Sequence, residues 1–170
     1  MPEITFGGPF EPIQGSDFVQ EDLSSQIQSG GSPTMHPALV NELTHFANER
    51  GILITIETEG SHFVETDYPL GLISLSPKFS NSVPRVGITT PAGKVVDERF
   101  VTQHNKFRLH YENIQKMIDF HSDYHYKPVW DGTEEGLAEI EEFRVKMNIP
   151  KDKTYVMPLQ LIVTGKLIIF

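Results

Sequence analysis

Three short stretches carry residue types that recognise ligands more often than they fill cores: Ser29-Gly30-Gly31-Ser32-Pro33, Glu57-Thr58-Glu59-Gly60 and Ser76-Pro77-Lys78. The paired glycines Gly30 and Gly31 let a ligand approach the backbone and expose N–H groups or carbonyls to it, although a tight connection uses the same residues. Glu57 and Thr58 close an apolar run, so a carboxylate and a hydroxyl stand where a strand ends. A carboxylate there accepts hydrogen bonds from an amino group or from ribose hydroxyls. Glu57 and Glu59 form an acid/base pair only if the strand runs on far enough to keep them on one side, and a solvated turn is the alternative. Ser76 and Lys78 offer a hydroxyl and a cation fixed by Pro77, suited to a carboxylate or phosphate, unless Lys78 is simply an exposed lysine. Lys127, midway in Tyr124-His125-Tyr126-Lys127-Pro128-Val129-Trp130, must face solvent, find a partner or line a pocket. The seven histidines show no His-Glu-x-x-His pattern. His121 and His125 with Asp123 could form a metal site, with surface or capping histidines the commoner outcome. No phosphate-binding loop, dinucleotide fingerprint or Gly-x-Ser-x-Gly elbow is present.

The elements that must position these residues follow from periodicity. Ile52 to Glu57 reads as a buried strand, and open parallel sheets and α/β barrels place their sites at such strand ends. Upstream, Pro37 and a face of Leu39, Val40, Leu43, Phe46 and Ala47 predict a helix, capped near Thr34 or His36 and stopped by Gly51. Glu3 to Phe6 reads as an edge strand, Asp17 to Leu23 as a short capped helix, and Ser24 to Ser29 as a weak strand. Ser24 to Glu57 is thus a β-loop-α-β unit with a right-handed crossover. Leu70 to Leu75 is the next strand. Residues 79–105 read as a polar insertion with a hairpin around Pro91-Ala92-Gly93-Lys94. One helix is predicted over Val101 to Phe120, one irregular strand over Tyr124 to Trp130, and a helix over Gly136 to Met147 with Leu137, Ile140, Phe143 and Val145 or Met147 inward. Tyr155 to Pro158 is a further strand end. The apolar tail, residues 159–170, reads as a closing hairpin or as a terminus exposing apolar surface.

At 170 residues the chain suits one small α/β domain, well short of a complete eight-unit barrel. A net charge of -9 without a run of Lys and Arg argues against nucleic acid as a direct partner and favours small ligands or proteins. No stretch approaches the roughly 20 apolar residues that span a bilayer, and no basic-then-apolar leader opens the chain, so a cytoplasmic location is expected. There is no cysteine, which removes disulfides, thiolate zinc sites, cysteine nucleophiles and thiolate-held iron-sulfur clusters from this chain's own chemistry.

The succession Ser29-Gly-Gly-Ser-Pro33, then Pro37 to Gly51, Ile52 to Ser61, Leu72 to Ser82, Tyr124 to Gly132 and Thr154 to Pro158 resembles the 7-carboxy-7-deazaguanine synthase family. These are radical S-adenosylmethionine enzymes of queuosine precursor biosynthesis. The resemblance covers residues 24–158 and rests on the ordered combination of motifs, since each alone is weak. It implies a truncated partial (β/α) barrel, a [4Fe-4S] cluster, S-adenosylmethionine and Mg2+. The implied reaction turns 6-carboxy-5,6,7,8-tetrahydropterin into 7-carboxy-7-deazaguanine with loss of ammonia, and the implied assembly is a homodimer. It places Gly30 and Gly31 at the methionyl amino group, Glu57, Thr58 and Ser76 at the cofactor, and Lys78 and Lys127 on the substrate side. Two departures stand out. Ser32 replaces the glutamate of the family's Gly-Gly-Glu-Pro, and the three-cysteine loop expected between Gly15 and Ser29 is a short acidic segment. The chain also turns apolar soon after Pro158, where the family continues with polar residues. An internally deleted or truncated relative, inactive in the family reaction, fits the missing loop and the altered tail; a non-catalytic module that binds S-adenosylmethionine, a pterin or a partner is the alternative.

Overall fold

A computed structural model of the chain describes residues 3–6, 32–90, 93–121, 123–163 and 166–169, with side chains described outside 3–6 and 160–169. The predicted helix at Asp17 to Leu23, the weak strand at Ser24 to Ser29 and the Gly30-Gly31 turn lie outside these residues. The architecture is mixed α/β with short parallel strands, arranged in two compact units. Among the described residues no helix is long and apolar enough to cross a membrane.

The first unit comprises residues 1–75 and 112–125. Its sheet has the order β1 (Glu3–Phe6), β2 (Leu53–Thr58), β3 (Leu72–Leu75), β4 (Tyr124–Tyr126). β2 runs parallel to β1, with Phe6 opposite Ile56, and parallel to β3, with Thr58 opposite Leu75. β2 and β3 are thus parallel neighbours, and the two strand ends are level. Helix α1 (Pro37–Arg50) precedes β2 and ends as its sequence predicts. Gly51 takes the left-handed conformation (φ 62°), while its N–H and that of Ile52 cap the last turn. Its buried stripe differs from the expected one: Val40, Thr44 and Ala47 are inside, whereas Leu39 is 56% exposed. Thr44 tolerates burial because its hydroxyl donates to the Asn41 carbonyl one turn back, at 2.7 Å. A short 3-10 turn, Pro33–Met35, leads into this helix from Ser32.

The second unit comprises residues 76–111 and 126–170. Thr89 is bridged antiparallel to Val95, on either side of the expected hairpin, of which Pro91 and Ala92 lie outside the described residues. The single helix expected over Val101 to Phe120 is instead two, α2 (Glu98–Phe107) and α3 (Tyr111–Phe120), the latter lying mostly in the first unit. The interruption coincides with Arg108, whose guanidinium is committed to the Glu139 carboxylate at 2.9 Å and the Lys78 carbonyl at 3.2 Å. Asp97 sets the start of α2 three residues earlier than expected, by accepting from the Phe100 N–H.

The strand expected over Tyr124 to Trp130 is likewise split, into β4 and β5 (Val129–Trp130), with Lys127-Pro128 between them. Proline has no N–H to continue a ladder, which accounts for the break at that point. β5 pairs in parallel with β6 (Met157–Pro158), the expected last strand end. β7 (Gln160–Val163) and β8 (Lys166–Ile169) form the antiparallel hairpin anticipated in the tail.

Helix α4 (Glu134–Lys146) begins two residues before the predicted start because Thr133 caps it, accepting from the Gly136 N–H at 3.0 Å. Ile140, Phe143 and the following Met147 are inside as expected, but Leu137 and Val145 are exposed. The core of this unit is aromatic. Phe143 packs edge-on to Phe79 and stacks on Tyr111 and Tyr126, with ring centroids 5.3 to 5.5 Å apart. The Tyr126 hydroxyl donates to the Ile140 carbonyl, and burial raises its pKa well above the ordinary phenol value.

Candidate functional site: a hydroxyl cluster at the end of β2

Strand alternation sends Ile54, Ile56 and Thr58 to one face of β2 and Thr55 and Glu57 to the other. The last residue of the first set, Thr58, meets two hydroxyls from the segment that enters α1. Ser32 Oγ lies 2.7 Å from Thr34 Oγ1 and 2.9 Å from Thr58 Oγ1, and the two threonine oxygens are 3.3 Å apart. All three side chains are buried. Thr58 Oγ1 also accepts from the Gly60 N–H at 3.1 Å, which fixes the turn that ends the strand.

The cluster can satisfy itself: three hydroxyl protons serve the three edges of the triangle, and each oxygen both donates and accepts once. Thr58 uses its second lone pair on Gly60, leaving Ser32 and Thr34 with one acceptor position each. The chemistry available is neutral hydrogen bonding to a donor such as an amino group. The triangle itself contains no base that would activate a hydroxyl as a nucleophile.

Glu57 is half-buried on the opposite face of β2 from Thr58, so the two expected neighbours do not act from one side. Glu59 lies beyond the strand and accepts a hydrogen bond from Ser61 Oγ, which also lies 2.7 Å from His62 Nδ1. The turn reading thus describes Glu59 better than a carboxylate pair. In the second unit, Ser76 is half-buried and Lys78 is exposed. Lys78 borders a cavity of about 180 Å³ with Pro77, Phe79, Asn81, Ser82, Val129 and Leu159. Lys127 is half-buried in the break between β4 and β5.

Among the described residues no group of three or more His, Asp or Glu side chains could hold a metal ion. His121 in particular is buried while Asp123 is exposed, and the expected His121-Asp123-His125 site is not among such groups.

The role of Ser32 and Thr34 as partners of Thr58 is not visible from spacing alone, because the contact spans 26 and 24 residues. The available signal was a Ser-x-Thr pair just before a proline-started helix. Also unforeseen was the half-buried edge of α4, where Glu139 accepts from Ser80 Oγ, the Ser80 N–H and Arg108. Burial pushes the Glu139 pKa up, but those donors outweigh it and hold the carboxyl below its usual value.

No family model, curated protein or solved structure matches this chain.

Replacing Thr58 with valine removes the hub of the cluster while keeping its shape. The Gly60 N–H and two buried hydroxyls then lose a partner, and stability should fall by about 1–3 kcal/mol. The check is the midpoint of urea unfolding at unchanged slope. Ser32→Ala, which removes a corner and leaves Gly60 satisfied, should cost less.

Proposed function

We propose that this chain is a homologue of 7-carboxy-7-deazaguanine synthase by descent, built on part of the family's (β/α) barrel and unable to carry out the family's reaction. The observation that carries the second half is the donor set. A cluster of this kind needs three thiolates, the chain contains no cysteine, and its other residue types do not fit the group. No step through the cluster is therefore assigned. The ordered motifs support descent, and level, parallel ends of β2 and β3 agree with a rim of the implied kind.

A second reading is favoured by the hydroxyl cluster. Where the family has glutamate, Ser32 is turned inward to brace Thr34 and Thr58, so the strand end keeps a preorganised polar floor without a charge. That floor suits a binding module for S-adenosylmethionine or a pterin. Anaerobic reconstitution with iron and sulfide tests the lack of chemistry. No charge-transfer absorption and no 5'-deoxyadenosine are expected; a bound cluster that cleaves S-adenosylmethionine would overturn the reading.

A further inference from the structure

The chain carries a net charge of -9, yet between Asp67 and Glu112 it places Lys78, Arg85, Lys94, Arg99, Lys106 and Arg108 against only Asp97 and Glu98. Arg108 is committed to Glu139, and Asp97 caps α2. Arg85, Lys94, Arg99 and Lys106 are exposed and make no ion pair among the described residues. The same stretch leaves large apolar side chains uncovered. The Gly87 N–H donates to the Val96 carbonyl and the Val96 N–H to the Ile88 carbonyl, both at 2.8 Å, and the Val96 side chain is buried. Around this anchor Val86, Ile88 and Val95 are each more than half exposed. Helix α2 follows directly and has no buried residue. Its Val101 and His104 edge is half-buried, whereas Phe100 and Phe107, two turns apart on the adjoining edge, are 49% and 55% exposed. We propose that Val86, Ile88 and Val95 together with α2 form a peripheral docking face for an anionic lipid surface.

Charge and apolar area coincide here, and that pairing selects the partner. Phenylalanines on one edge of a helix with Arg99 and Lys106 beside them suit a membrane interface, where rings enter the boundary of the acyl chains and cations stay with anionic headgroups. Lys106 Nζ lies 5.2 Å from the centre of the Phe107 ring, so a cation and an apolar anchor meet at the end of the helix. Protruding side chains need no matching pocket in a fluid interface, whereas a protein partner must supply a packed, complementary one. The acidic remainder of the chain adds orientation, because an anionic surface attracts it only through the basic stretch. No helix among the described residues is long and apolar enough to cross a membrane, so the attachment is peripheral. Each phenylalanine that embeds is worth about tenfold in affinity, and each cation beside anionic headgroups about fivefold. This face lies in the second unit and the hydroxyl cluster in the first, so the inference does not rest on the ligand-binding reading above.

Co-sedimentation of the full chain with vesicles tests this, using phosphatidylcholine alone and phosphatidylcholine mixed with phosphatidylserine. The chain should sediment with the mixed vesicles, far less with the neutral ones, and progressively less as salt rises. Phe100→Ala combined with Phe107→Ala should weaken binding about tenfold per ring, and Arg99→Gln combined with Lys106→Gln about fivefold per cation. All four side chains are exposed, so circular dichroism and the unfolding midpoint should be unchanged in both variants. The wild-type comparison of the two vesicle types needs no variant to fold. No binding to the mixed vesicles, equal binding to neutral ones, or binding that neither pair of substitutions weakens would each overturn the proposal. Self-association without lipid, abolished by the paired phenylalanine substitutions and found in place of vesicle binding, would give the face to a second copy and overturn it as well.

Discussion

Gly60→Ala is expected to be among the most damaging single-methyl additions in this protein. Gly60 adopts φ 88°, and its position faces the fully buried side chain of Ile114. A non-glycine residue in a left-handed conformation costs roughly 1–2 kcal/mol. Driving a methyl into a packed core adds about 1–3 kcal/mol. Backbone retreat would relieve the overlap only by breaking the Gly60 N–H bond to Thr58, so the cost reaches the hydroxyl cluster. A double-mutant cycle separates the two contributions. Ile114→Ala alone should cost about 2–5 kcal/mol, as buried Ile to Ala changes do. Combined with Gly60→Ala it should cost clearly less than the sum, because the added methyl enters the space vacated by Ile114. Strict additivity in urea unfolding would show that the Gly60 to Ile114 approach is not the source of the loss.

Phe143→Ala should have the other large effect, in the second unit. Phe143 is 2% exposed and is the one ring shared by contacts to Phe79, Tyr111 and Tyr126. Its removal leaves a cavity that three rings and the α4 backbone cannot fill without giving up their own geometry, and such changes cost about 3–5 kcal/mol. Phe143→Leu keeps most of the volume and should lose less, the cost coming chiefly from the lost ring-to-ring geometry. Calorimetric unfolding of the two variants checks the order. Equal destabilisation would mean that stacking outweighs volume at this position.

How much of this was legible in the residues depends on how local each determinant is. α1 was legible because its proline start, apolar face and Gly51 stop lie within one window. β2 and β3 were legible as short apolar runs closed by polar residues. The break between α2 and α3 was not, because it goes with Arg108 turning to Glu139, a partner 31 residues away. The division of Tyr124 to Trp130 was half legible, since Pro128 signalled irregularity but not two separate pairings. Exposure of Leu39, Leu137 and Val145 shows the limit of periodicity: it identifies a stripe, but neighbouring elements decide which edge of the stripe is covered.

The candidate site divides in the same way. Thr58 was expected at a polar strand end and is there, but its buried partners come from Ser32 and Thr34, which no local pattern connects to it. Glu57 was grouped with Thr58 by adjacency, whereas strand alternation separates them across the sheet. Gly30 and Gly31 fall outside the described residues.

Calorimetric titration of the full chain with S-adenosylmethionine, without iron or reductant, tests the binding account most directly. The account predicts saturable binding at one site per chain, weakened at least several-fold by Thr58→Val in protein shown to be folded. Absence of heat, with no displacement of a pterin or S-adenosylhomocysteine probe, would contradict it.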